Sequence, residues 1–405
     1  MQPLERRATF SLSSIFALRM LGLFLVLPVF ALEARKLPGG DDVQMVGLAM
    51  GIYGLTQGIL QIPFGLAADR FGRKRVMVLG LAIFALGSML AAWAPTLGWL
   101  ALGRSVQGAG AISAAVTALI ADQTRDIVRT KAMALVGASI SLVFALSLVL
   151  SPLLNALVGL QGLFVITGLL ATAGIAVVLW WVPPEPAVHA APGREGLGQV
   201  LRDAALLRLD LGAFVLHAVQ FAMWMAVPAM LVQAGLEKSA HWHVYLPAVL
   251  GSFVVMGATL FPLEKRGYFR AVFLTAIAVI TLVQLGLLYN AMHTPTLAML
   301  AVLMLAFFCG FNILEASQPS MASRLAPAHR RGAALGVYNT LQSLGFFAGG
   351  ALGGWVLGHF GTGGLFASCA TLMALWLAVA WGMAPVAARV RPTVLTEPIA
   401  PASPG

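Results

Sequence analysis

Long apolar runs recur along the whole chain, and each is close to the roughly 20 residues that an α-helix needs to cross a bilayer. A soluble domain carries about a quarter charged residues, whereas only 10% of this 405-residue chain is charged and 60% is apolar. That balance excludes a soluble enzyme, and the apolar excess excludes a disordered chain. We therefore predict an all-α membrane protein with twelve transmembrane helices. The predicted spans are 11–32, 43–68, 76–94, 98–121, 132–155, 161–182, 206–232, 243–263, 271–291, 296–322, 332–357 and 362–384.

The first apolar run follows Arg6 and Arg7 and in that respect is similar to a secretory signal peptide. It is longer than the apolar part of such a peptide, and no clean small-residue cleavage site follows it. We predict that it is retained as the first span.

The basic residues lie almost entirely on one side of the predicted membrane. With the N-terminus placed in the cytoplasm, 20 of the 25 lysines and arginines fall in cytoplasmic segments. Only Arg35, Lys36 and Lys238 fall outside, while Arg19 and Arg104 lie within spans. Because loops rich in Lys and Arg stay in the cytoplasm, we expect both termini inside a bacterial inner membrane. The same arrangement explains the net charge of +10 without a nucleic-acid partner.

A proline-rich break divides the spans into two groups of six. Residues 183–205 hold four prolines and several charges, which predicts a cytoplasmic linker between an N-terminal half at 1–182 and a C-terminal half at 206–384. The tail at 385–405 has five prolines and no apolar periodicity, which is typical of a disordered segment.

The two halves also share a short sequence pattern. Residues 129–134, before the fifth span, are similar to residues 330–335, before the eleventh. Parallel repeats of this kind are a known transporter architecture, in which the substrate site lies between the halves near the membrane midplane.

The most specific stretch joins the second and third spans and reads Gly-Leu-Ala-Ala-Asp-Arg-Phe-Gly-Arg-Lys-Arg over residues 65–75. Its second glycine, Gly72, can take the positive φ that a tight turn needs. Its basic residues favour the negative end of the second helix and the cytoplasmic surface. An ordinary positive-inside loop would not require this spacing. The residues assigned to the motif are Gly65, Asp69, Arg70, Gly72, Arg73 and Lys74.

This stretch resembles motif A of the major facilitator superfamily, with Ala67 in place of the usual leucine. Residues 102–110 resemble motif B of the same superfamily, whose arginine, here Arg104, is implicated in proton transfer. Motif C, an antiporter motif of the fifth span, normally begins Gly-Pro and is degraded here to Ser151-Pro152, which weakens the antiporter inference. The resemblance implies the major facilitator fold, with two pseudo-symmetric six-helix halves.

Segment by segment, residues 5–384 look most like the YajR-type drug/proton antiporter branch, whose members carry a further soluble domain after the last span. We expect this chain to lack that domain. The resemblance implies that motif A latches the outward-open state, with Asp69 facing the start of the eleventh helix near Gly332. It also implies that Asp122, at the end of the fourth span, pairs with Arg73.

Four charged or titratable side chains lie deep in predicted spans, where a charge costs about 2.5–3.5 kcal/mol and tends to serve a function. Arg19 and Arg104 do not carry protons themselves, but each is suited either to bind an anionic group or to be satisfied by carbonyls and amides. Glu315 is expected to be the only deep carboxylate. It forms the predicted proton-coupling set with His217 and Arg104. The alternatives are a glutamate paired at the cytoplasmic rim and a neutral core histidine.

Aromatic and amide side chains repeat at helical spacing on several spans, and this combination suits amphipathic or cationic organic substrates. The same amides are equally able to join helices together. The predicted cavity residues are Arg19, Tyr53, Gln57, Gln61, Gln107, Gln220, Trp224, Asn312, Tyr338 and Gln342.

These observations favour a secondary transporter that exports small amphipathic organic compounds in exchange for protons. Its expected partners are that small-molecule substrate, protons and the bilayer, with the chain a monomer. We expect no catalytic residue, no metal site and no cofactor, because the sequence has neither a phosphate-binding loop nor a metal-ligand pattern. Two alternatives remain open. They are proton-coupled uptake of an organic metabolite, and a receptor or scaffold that keeps the fold without transport.

Overall fold

Apolar helices account for nearly all of the described chain. The computed structural model describes residues 1–185, 197–327 and 331–383. Within those ranges, ten helices are long and apolar enough to cross a membrane. Two of them run for 47 and 50 residues. At about 1.5 Å of rise per residue, a straight helix of that length would be more than twice the ~30 Å of the hydrocarbon core.

Each of these two long helices is a hairpin that turns at a glycine. Gly159 and Gly361 interrupt them with the same non-helical backbone, at a φ of 66°. Before the second turn, His359 lies beside the start of the second span. After it, the Trp381 carbonyl accepts a hydrogen bond from Arg270, at the start of the ninth span. The chain has therefore crossed and returned, and the ten helices make twelve spans.

The observed helices follow the predicted spans closely, and the clearest difference lies at the first. That helix begins at Pro3, not at residue 11, because Gln2 and Glu5 form a capping box around its first turn. The helices are Pro3–Ala34, Val43–Phe71, Arg73–Ala92, Leu97–Ala109, Ser113–Gln123, Asp126–Ala176, Val177–Trp181 (a π-helix), Leu197–Val200, Ala204–Gln233, Lys238–Ala240 (3-10), Trp242–Lys265, Phe269–Met292, Leu297–Leu325 and Arg331–Trp381.

The fourth span is broken, which the sequence did not predict. It consists of Leu97–Ala109 and Ser113–Gln123, separated at Gly110. A Cβ at Gly110 would lie 2.3 Å from the Gly80 carbonyl oxygen of the third span. The backbones of these two spans therefore approach too closely for any larger residue at this point.

Glycines with positive φ mark equivalent turns in the two groups of spans. Among the described residues they form three pairs, each pair joining corresponding spans about half a chain apart. The pairs are Gly39 and Gly235, Gly72 and Gly267, and Gly159 and Gly361. Every such glycine in the described chain has a counterpart, which is the backbone signature of two similar halves. Residues 186–196 of the linker predicted at 183–205, and the tail predicted at 385–405, lie outside the described residues.

The second and eleventh spans hold the two groups of six together through small residues. We call the side on which the first span begins the basic side, and the other the opposite side. A Cβ at Gly47 would lie 2.3 Å from the Gly350 carbonyl oxygen, and one at Gly54 would lie 2.3 Å from the Ser343 carbonyl oxygen. These contacts run from the opposite side to mid-depth, where only glycine lets the helices approach so closely.

Three polar contacts join described residues of the two groups, and they lie at the same depths as the glycine contacts. On the opposite side, Lys238 Nζ lies 3.6 Å from Glu33 Oε1, and a side-chain hydrogen bond of 3.3 Å joins the second and eleventh spans. At mid-depth, Gln57 Nε2 donates to Ser343 Oγ at 3.1 Å. This conformation is therefore closed on the opposite side.

Replacing Gly350 by leucine tests this closure. We expect Gly350→Leu to reduce the free energy of unfolding by about 1–3 kcal/mol, because the new side chain overpacks the contact with the second span. A Cβ at Gly257, on the eighth span, meets nothing within 4 Å, so Gly257→Leu serves as the control. Thermal unfolding of the purified protein compares the two, and equal losses would contradict the close contact.

Candidate functional site

Two of the predicted proton-coupling residues meet in the interior. Glu315 Oε2 of the tenth span lies 3.0 Å from His217 Nε2 of the seventh. Gln342 of the eleventh span contacts both, with Nε2 at 2.8 Å from His217 Nε2 and at 3.4 Å from Glu315 Oε1. The His217 side chain is 2% exposed, whereas that of Glu315 is 31% exposed. The pair is thus buried on the imidazole side and accessible on the carboxyl side.

The hydrogen bonds of this pair are set by Gln342. His217 Nδ1 lies 2.7 Å from the Ala213 carbonyl oxygen, and a carbonyl only accepts, so Nδ1 carries a hydrogen. His217 Nε2 and Glu315 Oε1 then act as acceptors, and the Gln342 amide nitrogen, which carries two hydrogens, lies within reach of both. Glu315 Oε2, 3.0 Å from His217 Nε2, makes no hydrogen bond. A proton placed between these two facing atoms would join them, so the arrangement offers a place for one proton.

A second polar cluster lies in the first six spans, around Arg19. Its guanidinium donates to Tyr53 Oη at 2.7 Å, to Gln57 Oε1 at 2.9 Å and to Ser113 Oγ at 3.2 Å. The residue is 1% exposed. Neutral acceptors hold this charge, and no carboxylate among the described side chains lies within ion-pair distance of it.

Arg104 lies over the ring of Tyr53, whose hydroxyl binds Arg19. It donates to Gln107 Oε1 at 2.9 Å and to the Met50 carbonyl oxygen at 3.2 Å. Its guanidinium carbon lies 5.0 Å from the centroid of the Tyr53 ring, within the range of a cation–π contact. Gln107 in turn donates to Ser88 at 2.8 Å. None of these contacts involves Glu315 or His217, so the structure does not bring Arg104, the third predicted proton-coupling residue, to that pair; its partners are buried and neutral.

One helix connects the two clusters. Gln57, bound to Arg19, donates to Ser343 of the eleventh span. The preceding residue, Gln342, contacts His217 and Glu315. Two adjacent side chains, Gln342 and Ser343, thus link the Glu315 and His217 pair to the hydrogen bond between the two groups of spans.

The other predicted cavity residues have differing surroundings. Tyr338 Oη donates to Gln318 at 3.3 Å, one turn from the Glu315 pair. Asn312 donates to Ser252 of the eighth span at 2.7 Å, so it joins two helices and does not share the surroundings of Glu315. Gln61 is 1% exposed, and neither of its amide atoms has a partner.

Gln220 and Trp224 line a small, mostly apolar cleft between the seventh and tenth spans. The cavity is about 10 Å³, room for about one water molecule. Its other lining residues are Met223, Val227, Met304, Phe307 and Phe308. The indole of Trp224 packs edge-on against Tyr245, at 5.4 Å between ring centroids. The lining is aromatic and thioether surface with one amide, and in this conformation it encloses no space of substrate size.

The prediction that Glu315 is the only deep carboxylate is wrong, because Asp210 of the seventh span is 2% exposed. Its Oδ2 atom has no hydrogen-bond partner. The sequence shows an aspartate between two leucines, Leu209 and Leu211, inside a predicted span. That signal was available, but the residue lies close to the predicted end of the span, where a charge is often assigned to the surface.

Motif A has the predicted turn and the predicted ion pair. Gly72 has a φ of 96°. Arg73 Nε lies 2.7 Å from Asp122 Oδ2, and its NH2 lies 3.4 Å from Asp69 Oδ1. The Glu185 carboxylate, which sequence reasoning missed, accepts from the backbone amides of residues 73 and 74 and so caps the third span.

The remaining motif A residues surround this turn. Gly65 packs against Ala114, the Arg70 guanidinium lies 5.3 Å from the centroid of the Phe71 ring, and Lys74 Nζ donates to the Val182 carbonyl at 2.8 Å. Asp69 has Arg73 as its ion-pair partner and is 47% exposed. A Cβ at Gly332 would meet nothing within 4 Å. Among the described side chains, the expected contact between Asp69 and the start of the eleventh helix is not made in this conformation.

A further ion pair on the basic side joins the first and fifth spans. Arg125 Nε lies 2.7 Å from Glu5 Oε1. The hydrogen bond and the charge of this carboxylate raise the pKa of the Arg125 guanidinium above its ordinary value. The pair fastens two spans of the same six together. Within the described residues, no three His, Cys, Asp or Glu side chains form a group that could hold a metal ion.

Comparison with known proteins agrees with this architecture. The family model for the Major Facilitator Superfamily matches residues 12–350 and 265–404. The chain is 42% identical over 385 residues to the inner membrane transport protein YajR of Escherichia coli (strain K12), covering 94% of this chain and 84% of that one. It is 28% identical over 357 residues to the multidrug resistance protein MdtH of Klebsiella pneumoniae (strain 342), covering 83% of each.

A solved structure has the same fold at low sequence identity. The crystal structure of a D-xylose-proton symporter aligns with a TM-score of 0.75 at 13% identity, over 93% of this chain and 98% of that one. Twelve spans with paired turns and a polar interior define a secondary-transporter fold. The chain belongs to the major facilitator superfamily, and it is a multi-pass membrane transporter of small molecules, not an enzyme.

Two neighbouring glutamines on the second span provide a matched test of the Arg19 cluster. We expect Gln57→Leu to lower the free energy of unfolding by about 1.5–3 kcal/mol, because it removes a hydrogen bond to a buried charge. Gln61→Leu should be neutral or stabilising, because it removes buried amide atoms that have no partner. Thermal unfolding of the two variants measures the difference. Equal destabilisation would show that the Gln57 bond does not hold the charge.

Proposed function

We propose that this transporter exports small amphipathic organic compounds in exchange for protons, by alternating access. The observation that carries the proposal is the contact between Glu315 and His217, whose Oε2 and Nε2 atoms face each other at 3.0 Å at mid-depth. Interior ionisable groups are costly, and in transporters they commonly serve as proton relays. The half-accessible carboxyl is the member of the pair through which the proton leaves and returns.

Uptake of a proton supplies a reason for the two halves to move. A proton shared by Glu315 Oε2 and His217 Nε2 would occupy the only lone pair of Nε2, so Nε2 could no longer accept from Gln342. Gln342, which contacts both groups, must then turn. The next residue, Ser343, accepts the hydrogen bond from Gln57 of the other half. Protonation therefore biases the contact that closes the opposite side.

Several features support an amphipathic substrate. The cleft beside Gln220 and Trp224 offers aromatic and methionine surface with an amide at its edge. Flexible, polarisable side chains of this kind accommodate differing apolar groups. One relative at 28% identity is named a multidrug resistance protein. We extend that class of substrate to this chain as part of the proposal.

We further propose that the chain lies in a bacterial inner membrane as a monomer with both termini in the cytoplasm. The excess of basic residues on the basic side supports this orientation, and a relative at 42% identity is named an inner membrane protein. The two halves at 1–182 and 206–384 then rock about their shared contacts, joined by the linker at 183–205. No nucleic acid takes part.

Motif A is proposed to stabilise the opposite state of the transport cycle, in which the basic side is closed. In the conformation observed, Asp69 is half-exposed and its partner is Arg73 of the same loop. When the basic side closes, the eleventh helix would approach, and its N-terminus would attract the carboxylate. The pair of Arg73 and Asp122 keeps the loop in position in the meantime.

Proton-coupled uptake of an organic metabolite is the second candidate. It is favoured by Arg19 and Arg104, which have no carboxylate partner among the described residues and so could receive a carboxylate from a substrate. A non-transporting receptor would need neither these charges nor the Glu315 pair.

Substrate-driven proton movement tests the function directly. Purified protein in liposomes with a trapped pH-sensitive dye would be given lipophilic cations, organic anions and sugars in turn. We expect one class, the lipophilic cations, to move protons in the direction opposite to the substrate, and Glu315→Gln to abolish that movement. Glu237→Gln, which removes an exposed carboxylate from a loop on the opposite side, is the matched control.

The outcomes separate the candidates. Movement of protons and substrate in the same direction would replace export by uptake. Movement that survives in Glu315→Gln would remove the pair as the coupling site. No proton movement with any class would contradict coupled transport and favour the receptor.

The latch proposal has its own variant. We expect Asp69→Asn to reduce the transport rate about tenfold while leaving membrane insertion and thermal stability unchanged, because a neutral amide loses the attraction to the helix N-terminus. Asp41→Asn, at an exposed position on the opposite side, is the control. Normal transport by Asp69→Asn at normal expression would remove motif A's carboxylate from the cycle.

A further inference from the structure

Asp210 is a buried carboxyl group that the proposed coupling pair leaves unused. It lies on the seventh span, seven residues before His217. At about 1.5 Å per residue, this is two helical turns, or roughly 10 Å, nearer the basic side. The residue is 2% exposed, and its Oδ2 atom has no hydrogen-bond partner. It therefore lies between the basic side and the Glu315 pair.

Among the described side chains, no basic group pairs with Asp210. Arg208, on the same helix, is turned to the Gly382 carbonyl at 3.5 Å. Arg324, on the tenth span, is paired with Glu264. An ionised carboxylate without a partner is costly in such a site. The structure favours the neutral acid, which holds a proton.

Polar groups extend from Asp210 toward Glu315. Tyr338, on the eleventh span, is 2% exposed. Its neighbour Val337 packs against Leu206, one turn before Asp210 on the seventh span. The Tyr338 hydroxyl donates to Gln318, one turn below Glu315 on the tenth span. The Gln318 Nε2 atom is a second buried polar atom without a partner. Three successive helical turns thus carry Asp210, then Tyr338 with Gln318, then Glu315 with His217.

We propose that Asp210 is a proton-binding residue that supplies the Glu315 and His217 pair from the basic side. In the transfer, the Asp210 carboxylic acid loses its proton, which passes the Tyr338 hydroxyl and binds the Glu315 carboxylate. Glu315 then becomes the carboxylic acid. Asp210 is left as a carboxylate and takes a new proton from the solution on the basic side. One proton enters and one is delivered, so charge and atoms balance. The inference rests on the proposed proton coupling for its role in transport.

Infrared spectroscopy of the full chain in lipid tests the inference without a substrate. Protonated carboxyl groups have a C=O stretching band that carboxylates lack. We expect wild type at neutral pH to show a component of this band that Asp210→Asn loses, while Glu315→Gln and Asp41→Asn, the latter at an exposed position, keep it. An unchanged band in Asp210→Asn would show that Asp210 is ionised and would overturn the proposal.

A pH jump then separates a relay from an inert buried acid. The band of Glu315 is identified by its loss in Glu315→Gln. After a fall in pH, we expect protonation of Glu315 to be about tenfold slower or more in Asp210→Asn than in wild type, since a positioned proton donor contributes rates of this order or larger. Asp210→Glu, which restores a carboxyl group, should recover the rate and also serves if the amide variant folds poorly. An unchanged rate in Asp210→Asn would overturn the relay.

These readouts stay separate from the liposome assay. If no substrate class moves protons, the proposed function fails, while the band and the rate of Glu315 protonation still decide the role of Asp210. If protons move normally in Asp210→Asn, the proposed function stands and the inference about Asp210 fails.

Discussion

A charge inside a bilayer has only protein groups to bind, and the interior of this transporter is arranged around that constraint. Arg19 is held by a phenol, an amide and a hydroxyl, and Arg104 by an amide and a carbonyl. Glu315 is held by His217 and Gln342. Because the partners come from different spans, satisfying each charge also fixes how those helices are rotated against one another.

The eleventh span is the element on which these requirements converge. Its glycines allow the second span to approach along the half of the bilayer nearer the opposite side. At mid-depth it turns Ser343 toward Gln57 and Gln342 toward His217. The eleventh span packs closely against the N-terminal six spans and also contacts Glu315 and His217 within the C-terminal six. A change in the protonation of that pair can therefore displace the two halves relative to each other, because the same rigid helix takes part in both contacts.

Run length and the distribution of basic residues were sufficient to predict the fold, because a bilayer admits little besides helices of one length. They could not predict the break at Gly110, which depends on the approach of the third span. Glu315 and His217 were each identifiable from the cost of burying them. Their contact was not, since it depends on the rotation of two helices that are distant in sequence. Asp210 was missed because a span's end is the least certain part of a hydropathy pattern.

The depth of the Glu315 and His217 pair has an electrical consequence. An elementary charge carried across the whole membrane changes in energy by about 2.3 kcal/mol for each 100 mV. A proton that reaches this pair from the basic side has passed through part of that field. The guanidinium charges of Arg19 and Arg104 remain in the N-terminal six spans. The occupancy of the pair therefore follows the voltage across the membrane as well as the acidity of either compartment.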